Sequence, residues 1–144
     1  MSDLLRPEDL RKIADDEDMA KAKKAMARMK EEEEERAGLH ELFMSRDVHP
    51  DAKNRINAAV RRAAQQGQRQ LIAVRFPASY CNDQGRRINN MEPDWPASLE
   101  GFARKAYEYY MAELKPLGFK LNAQILDYPG GMPGEVALYL RWDN

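Results

Sequence analysis

The sequence predicts an α+β fold, with N-terminal helices followed by a β-α-β-β layer whose small three-stranded sheet is mixed or antiparallel. Three observations lead there. In the stretch from Trp95 to Leu117, the residues Leu99, Phe102, Ala103, Ala106, Tyr107, Tyr110, Met111 and Leu114 recur at steps of three and four, which puts them on one helical face. Glu100, Arg104, Lys105, Glu108 and Glu113 fall opposite. A stripe of this kind has to be buried against something, and alternating segments flank it: QLIAVRF before, FKLNAQIL and EVALYLRW after. The third observation is charge. The first 45 residues hold 9 Lys/Arg against 13 Asp/Glu, net −4, while the rest hold 14 against 11, net +3. The chain therefore divides into a charged helical extension, residues 1–45, and an α+β globular domain, residues 46–144; its 144 residues suffice for one core and such an extension.

From Pro7 to about Ser45 one long helix is expected, with Gly38 as the point where it can break. Pro7 suits a first turn, Glu8 and Asp9 complement the positive end of the helix dipole, and Glu17 with Lys21 and Glu32 with Arg36 are favourable i,i+4 pairs. Met19, Ala22, Met26 and Met29 follow a heptad seam for two repeats, until Glu31 to Glu35 place five consecutive carboxylates around the helix. Two readings follow: a solvated arm, or a helix that docks on a partner or on a second copy. Leu39, Leu42, Phe43 and Val48 restore apolar character where the arm joins the domain.

In HPDAKNRINAAVRRAAQQG, Asp47 can cap, Pro50 opens a second helix, Ile56, Ala59, Val60 and Ala63 make a narrow inward stripe, and Gly67 stops it. Gln70 to Phe76 reads as a strand with Ile72, Val74 and Phe76 on one face and Leu71, Ala73 and Arg75 on the other, ended by Pro77. The following connection is long enough to be functional or internally structured, with a hairpin expected at Asn82 to Gly85 and either Asp94 or Ser98 capping the next helix. Pro116 and Gly118 end that helix. Phe119, Leu121, Ala123 and Ile125 then alternate with Lys120, Asn122 and Gln124. After the turn YPGGMPG, Val136, Leu138, Leu140 and Trp142 face the core while Ala137, Tyr139 and Arg141 face away, and the last two strands pair as a hairpin. The second sheet face is expected to carry Leu71, Ala73, Leu126, Ala137 and Tyr139, and so to need covering.

The sequence leans away from an enzyme without excluding one. His40 and His49 lack ligand-type spacing, so neither a metal nor any other cofactor is expected. The single cysteine, Cys81, excludes an intramolecular disulfide and fits a reducing compartment; no histidine lies near it in sequence to act as its base. The glycines at 130, 131 and 134 precede a strand instead of a helix, which is not a phosphate loop. The first ten residues lack a basic region followed by an apolar run, and the longest apolar run, VALYL, is far too short to span a membrane, so a cytoplasmic protein that avoids membranes is expected.

Two surfaces remain as candidates. The loop residues Tyr80, Cys81, Asp83, Arg86, Arg87, Asn89 and Asn90 are rich in hydrogen-bonding groups; they can bind a small anion or peptide, serve an enzyme, or brace their own loop. Lys53, Arg55, Arg61, Arg62, Arg69 and Arg75 fall in the span Arg46 to Arg87, which carries 9 basic and 3 acidic residues. Together with Tyr139 and Arg141 on a strand, they supply the cations and the aromatic that a nucleic-acid binder needs. The sequence favours a small non-enzymatic binding or regulatory protein acting through protein contacts, with a second copy of itself as the first partner to consider, a homodimer. Nucleic-acid binding through Lys53 to Arg87 is the second reading, and a reaction or anion site in the Tyr80 to Asn90 loop the third.

Overall fold

Helix α1 runs without a break from Pro7 to Ser45 in the computed structural model, which describes residues 3–143. Gly38 does not interrupt it: one glycine costs a helix about 1 kcal/mol, and the turns on either side are made of good helix formers. No residue of α1 is buried. The chain divides into two compact units between Glu41 and Leu42, and the elements below belong to the second.

Helix α2 spans Ala52–Gln65. It begins later than the proline suggests. His49 to Asp51 form a turn, with the Ala52 N–H bonded to the His49 carbonyl at 3.0 Å, so Asp51 rather than Asp47 stands at the N-cap. The Asp47 carboxylate is engaged elsewhere, accepting from Lys105 Nζ at 2.7 Å. Ala52 and Ala63 are buried and Ile56, Ala59 and Val60 half-buried. Gly67, at φ +79°, takes the left-handed conformation that lets the chain leave the helix.

Strand β1 is Gln70–Pro77, β2 is Lys120–Ile125 and β3 is Glu135–Arg141; the sheet order is β1-β3-β2 and both pairings are antiparallel. The sheet is thus antiparallel instead of mixed, with β1 and β2 parallel to each other on either side of β3 and joined by the helical crossover between them. The register of β1 corrects one expectation. A β-bulge between Ile72 and Val74 leaves Ala73 without an opposite residue, so Leu71 pairs with Leu140 while Ile72 pairs with Tyr139. Leu71 therefore shares the core face with Val74 and Phe76, and Ile72 turns outward, 40% exposed.

The core face is Leu71, Val74 and Phe76 opposite Leu140, Leu138 and Val136, which in turn oppose Leu121, Ala123 and Ile125. Each fully buried aliphatic side chain of this set is worth about 1.5–3 kcal/mol over its exposed state. Ala137 was expected outside but is fully buried: its cross-strand neighbours Arg75 and Gln124 are long, and their stems shelter a methyl between them. The other face carries Gln70, Ile72, Arg75, Lys120, Asn122, Gln124, Tyr139 and Arg141, all exposed or half-buried.

The connection after β1 is helical, not a hairpin. It contains a 3-10 turn at Ala78–Tyr80, a short helix α3 at Arg86–Asn89 and a 3-10 turn at Trp95–Ser98. The organising stretch, too, is more broken than its stripe suggests. Leu99 and Glu100 are extended, helix α4 covers Gly101–Tyr109, residues Tyr110–Leu114 widen into a π turn, and Lys115–Leu117 tighten to 3-10. Pro116 explains the end of it, since its ring nitrogen offers no N–H to the preceding turn. Ser98 does not cap; its hydroxyl donates to the Trp95 carbonyl at 2.7 Å. Asp94 stands only before the 3-10 turn, and its side chain makes no cap bond. The stripe nevertheless reaches the core: Leu99, Ala103 and Tyr110 are buried, with Met111 alone among its members exposed.

Gly101 is required where it sits. Its φ is +54°, and a Cβ there would lie 2.7 Å from the Met44 Cα. This close approach brings Phe43 into an aromatic cluster with Tyr80, Phe76 and Phe102, at centroid distances of 4.9, 5.4 and 6.2 Å.

Candidate functional site

Both α2 and α4 contribute to a cavity over the core face of the sheet. Its floor is Leu71, Val74, Leu121, Leu138 and Leu140; one wall is Ala52, Ile56 and Ala59 from α2, and the other is Phe102, Ala106, Tyr109, Tyr110 and Leu114. The volume is about 280 Å³, near the lower end of the range for small-molecule pockets, about 300–1,000 Å³. Three of the helix positions that line it, Ala52, Ala59 and Ala106, carry only methyls, which leaves the space open. The Tyr110 hydroxyl is turned away from bulk water and donates to the Phe119 carbonyl at 2.8 Å, and burial pushes its pKa upward. The lining also includes Arg46, His49 and Arg55.

This concavity is not visible as a motif. Its lining comes from elements far apart in the chain, and the sequence signal for it is that the inward face of α2 is made of small side chains.

The loop candidates are brought together, but largely to hold the loop. The Asp83 carboxylate accepts from the Gly85 and Arg87 backbone N–H groups, each at 3.0 Å, and pairs with Arg87 Nη1 at 3.3 Å. Arg87 also reaches Asp94 at 3.2 Å, while Arg86 meets Glu92 at 3.4 Å. Asn89 accepts from the Tyr128 hydroxyl at 2.7 Å, tying the loop to the turn before β3. Tyr80 lies in the aromatic cluster with Phe43, and Asn90 is exposed. Cys81 is buried in the core, and that burial pushes its thiol up to about 11, so it is protonated at neutral pH and a poor nucleophile.

The basic candidates fall in two places. Lys53, Arg55, Arg61 and Arg62 are exposed on α2, whose 14 residues include no carboxylate. Arg69 is exposed just before β1. Arg75, Tyr139 and Arg141 share the outer face of the sheet, but two of the three are already neutralised: Arg75 grips Glu135 with two bonds of 2.9 and 3.0 Å, and Arg141 does the same to Asp143 at 3.1 and 2.6 Å. Those pairs hold the Glu135 and Asp143 carboxyls below their ordinary range, through the side-chain bonds first.

Among the described residues, no three His, Cys, Asp or Glu side chains converge as metal ligands, and no helix is long and apolar enough to cross a membrane. His49 Nδ1 accepts the Asp51 backbone N–H at 2.9 Å, which places its ring proton on Nε2. No protein-family model, curated protein or solved structure matches this chain.

Proposed function

We propose that this chain is a small cytoplasmic, non-enzymatic binding or regulatory protein that works through protein contacts, as a homodimer. The observation that supports it is α1: across 39 residues nothing is buried, and large apolar side chains stand in solvent, with Met19 and Met26 each 71% exposed and Met29 65%. A polar helix normally spends its few apolar residues against something, and flexible methionines suit a helix-to-helix contact. The lone buried cysteine suits a reducing compartment.

Light scattering on the full chain tests it. A dimer mass is expected, and Met19→Gln, Met26→Gln and Met29→Gln together return the particle to one chain. A monomer at every concentration overturns the proposal.

A second reading, nucleic-acid binding, is favoured by one observation: the cations of α2 face solvent with no carboxylate on the same helix. It requires a gel shift that weakens steeply with salt and a shallower salt dependence in the Arg61→Ala, Arg62→Ala variant.

A further inference from the structure

The cavity between α2 and α4 combines an apolar lining with two arginines, Arg46 and Arg55, and one histidine, His49. No carboxylate lines it, and among the described residues neither Arg46 nor Arg55 forms an ion pair. Of the carboxylates closest in sequence, Asp47 is paired with Lys105 and Asp51 accepts from the Asn54 amide, each at 2.7 Å. Arg46 is held in place by its stacking over Phe102, 4.2 Å from the ring centroid, and Phe102 is itself part of the cavity wall. His49, with its Nδ1 already accepting, adds an N–H donor to the lining.

An apolar space whose lining holds two cations and no carboxylate selects by sign as well as by size. A carboxylate would pair with a guanidinium group where a neutral oil would not, and a cation would be repelled. The volume admits a short chain or a small ring system and excludes a long lipid. We infer that this cavity binds a free monoanionic amphiphile, an apolar chain or ring ending in a carboxylate, with the apolar part against Leu121, Leu138 and Leu140 and the carboxylate at Arg46 and Arg55. The inference concerns the second unit alone and does not rest on the reading of α1.

Decanoate is the probe, titrated into the full chain by calorimetry and by methyl NMR, with decanol and decyltrimethylammonium as matched neutral and cationic controls. Saturable decanoate binding is expected, with shifts at Ile56, Leu121 and Leu140 and at least roughly fivefold weaker binding of decanol, the scale of one exposed ion pair. Arg46→Gln and Arg55→Gln should each weaken decanoate severalfold and leave decanol unchanged; both positions are exposed, so the variants fold. Ala59→Leu, which fills the cavity, should weaken both ligands. Equal affinity for decanoate and decanol, shifts confined to residues outside the cavity, or no saturation would each overturn the inference. So would cavity shifts that follow protein concentration and ignore the ligand, because the occupant would then be a second copy.

Discussion

Helix α1 and the stretch Trp95–Leu117 contrast more sharply than any other two regions of the molecule. The first is an uninterrupted helix of 39 residues with nothing buried; the second is broken into a 3-10 turn, an extended link, nine α-helical residues, a π turn and another 3-10 turn, yet it delivers Leu99, Ala103 and Tyr110 to the core. Regular backbone and burial are therefore separate properties here. Local helix propensity builds α1 without any buried residue. Packing against the sheet distorts the second stretch, because a side chain that fills the core outweighs a lost helical bond, about 1 kcal/mol net.

The largest expected effect that sharpens this contrast is at the junction that enters α4. Gly101→Ala combines a strained backbone with a collision on Met44 and should cost roughly 2–5 kcal/mol, read as a lowered midpoint in urea unfolding. Next is Leu99→Ala, in the extended link: if burial and not helicity matters, it should destabilise by about 2–5 kcal/mol despite lying outside any helix. Met26→Ala in α1 serves as the opposite control, measured at concentrations where the chain is a monomer, with a change within about 0.5 kcal/mol. A large loss under those conditions would break the comparison, since it would mean α1 packs within its own chain after all.

Titration gives the smallest effects. Cys81 is raised by burial to about 11, so its contribution is complete below the ordinary thiol value, about 8.5, and is lost as pH climbs towards 11. Thiol reagents should accordingly react slowly at pH 8 and quickly once urea unfolds the chain. Glu135 carries the opposite sign: lowered by Arg75, it stabilises above the ordinary carboxylate value, and that share disappears as pH falls through its folded value. Arg75→Gln should flatten this acid-side slope, an effect kept small by solvent screening of two exposed groups.

Much of the fold was legible. The alternation of β2 and β3 named their core residues, and the three-four stripe found Leu99, Ala103 and Tyr110 even though the helix carrying them is irregular, since 3-10 and π turns move side chains only partly off an α-helical face. What was hidden depends on partners distant in the chain. Leu71 and Ile72 are both apolar, so their pattern alone does not tell which faces inward; the pairing with Leu140 and Tyr139 decides it. Asp47 reads as a helix cap until Lys105, 58 residues on, takes its carboxylate. The loop candidates could be enumerated, but that Asp83 spends its oxygens on Gly85 and Arg87 follows from helical turns that replace the expected hairpin. The cavity was least legible of all, since an empty volume is set by which alanines come to line it, and a sequence reports only what is present.

The unpaired Ala73 acts as a phase shifter in its strand. Were it paired opposite Tyr139 instead of bulged, the segment from Gln70 to Ile72 would rotate half a period, exchanging Leu71 for Ile72 beside Leu140. Deleting Ala73 would therefore close the bulge and keep Leu71 inward, removing only the local bend of the strand, while substitutions of the same alanine by other small side chains would pass almost unnoticed.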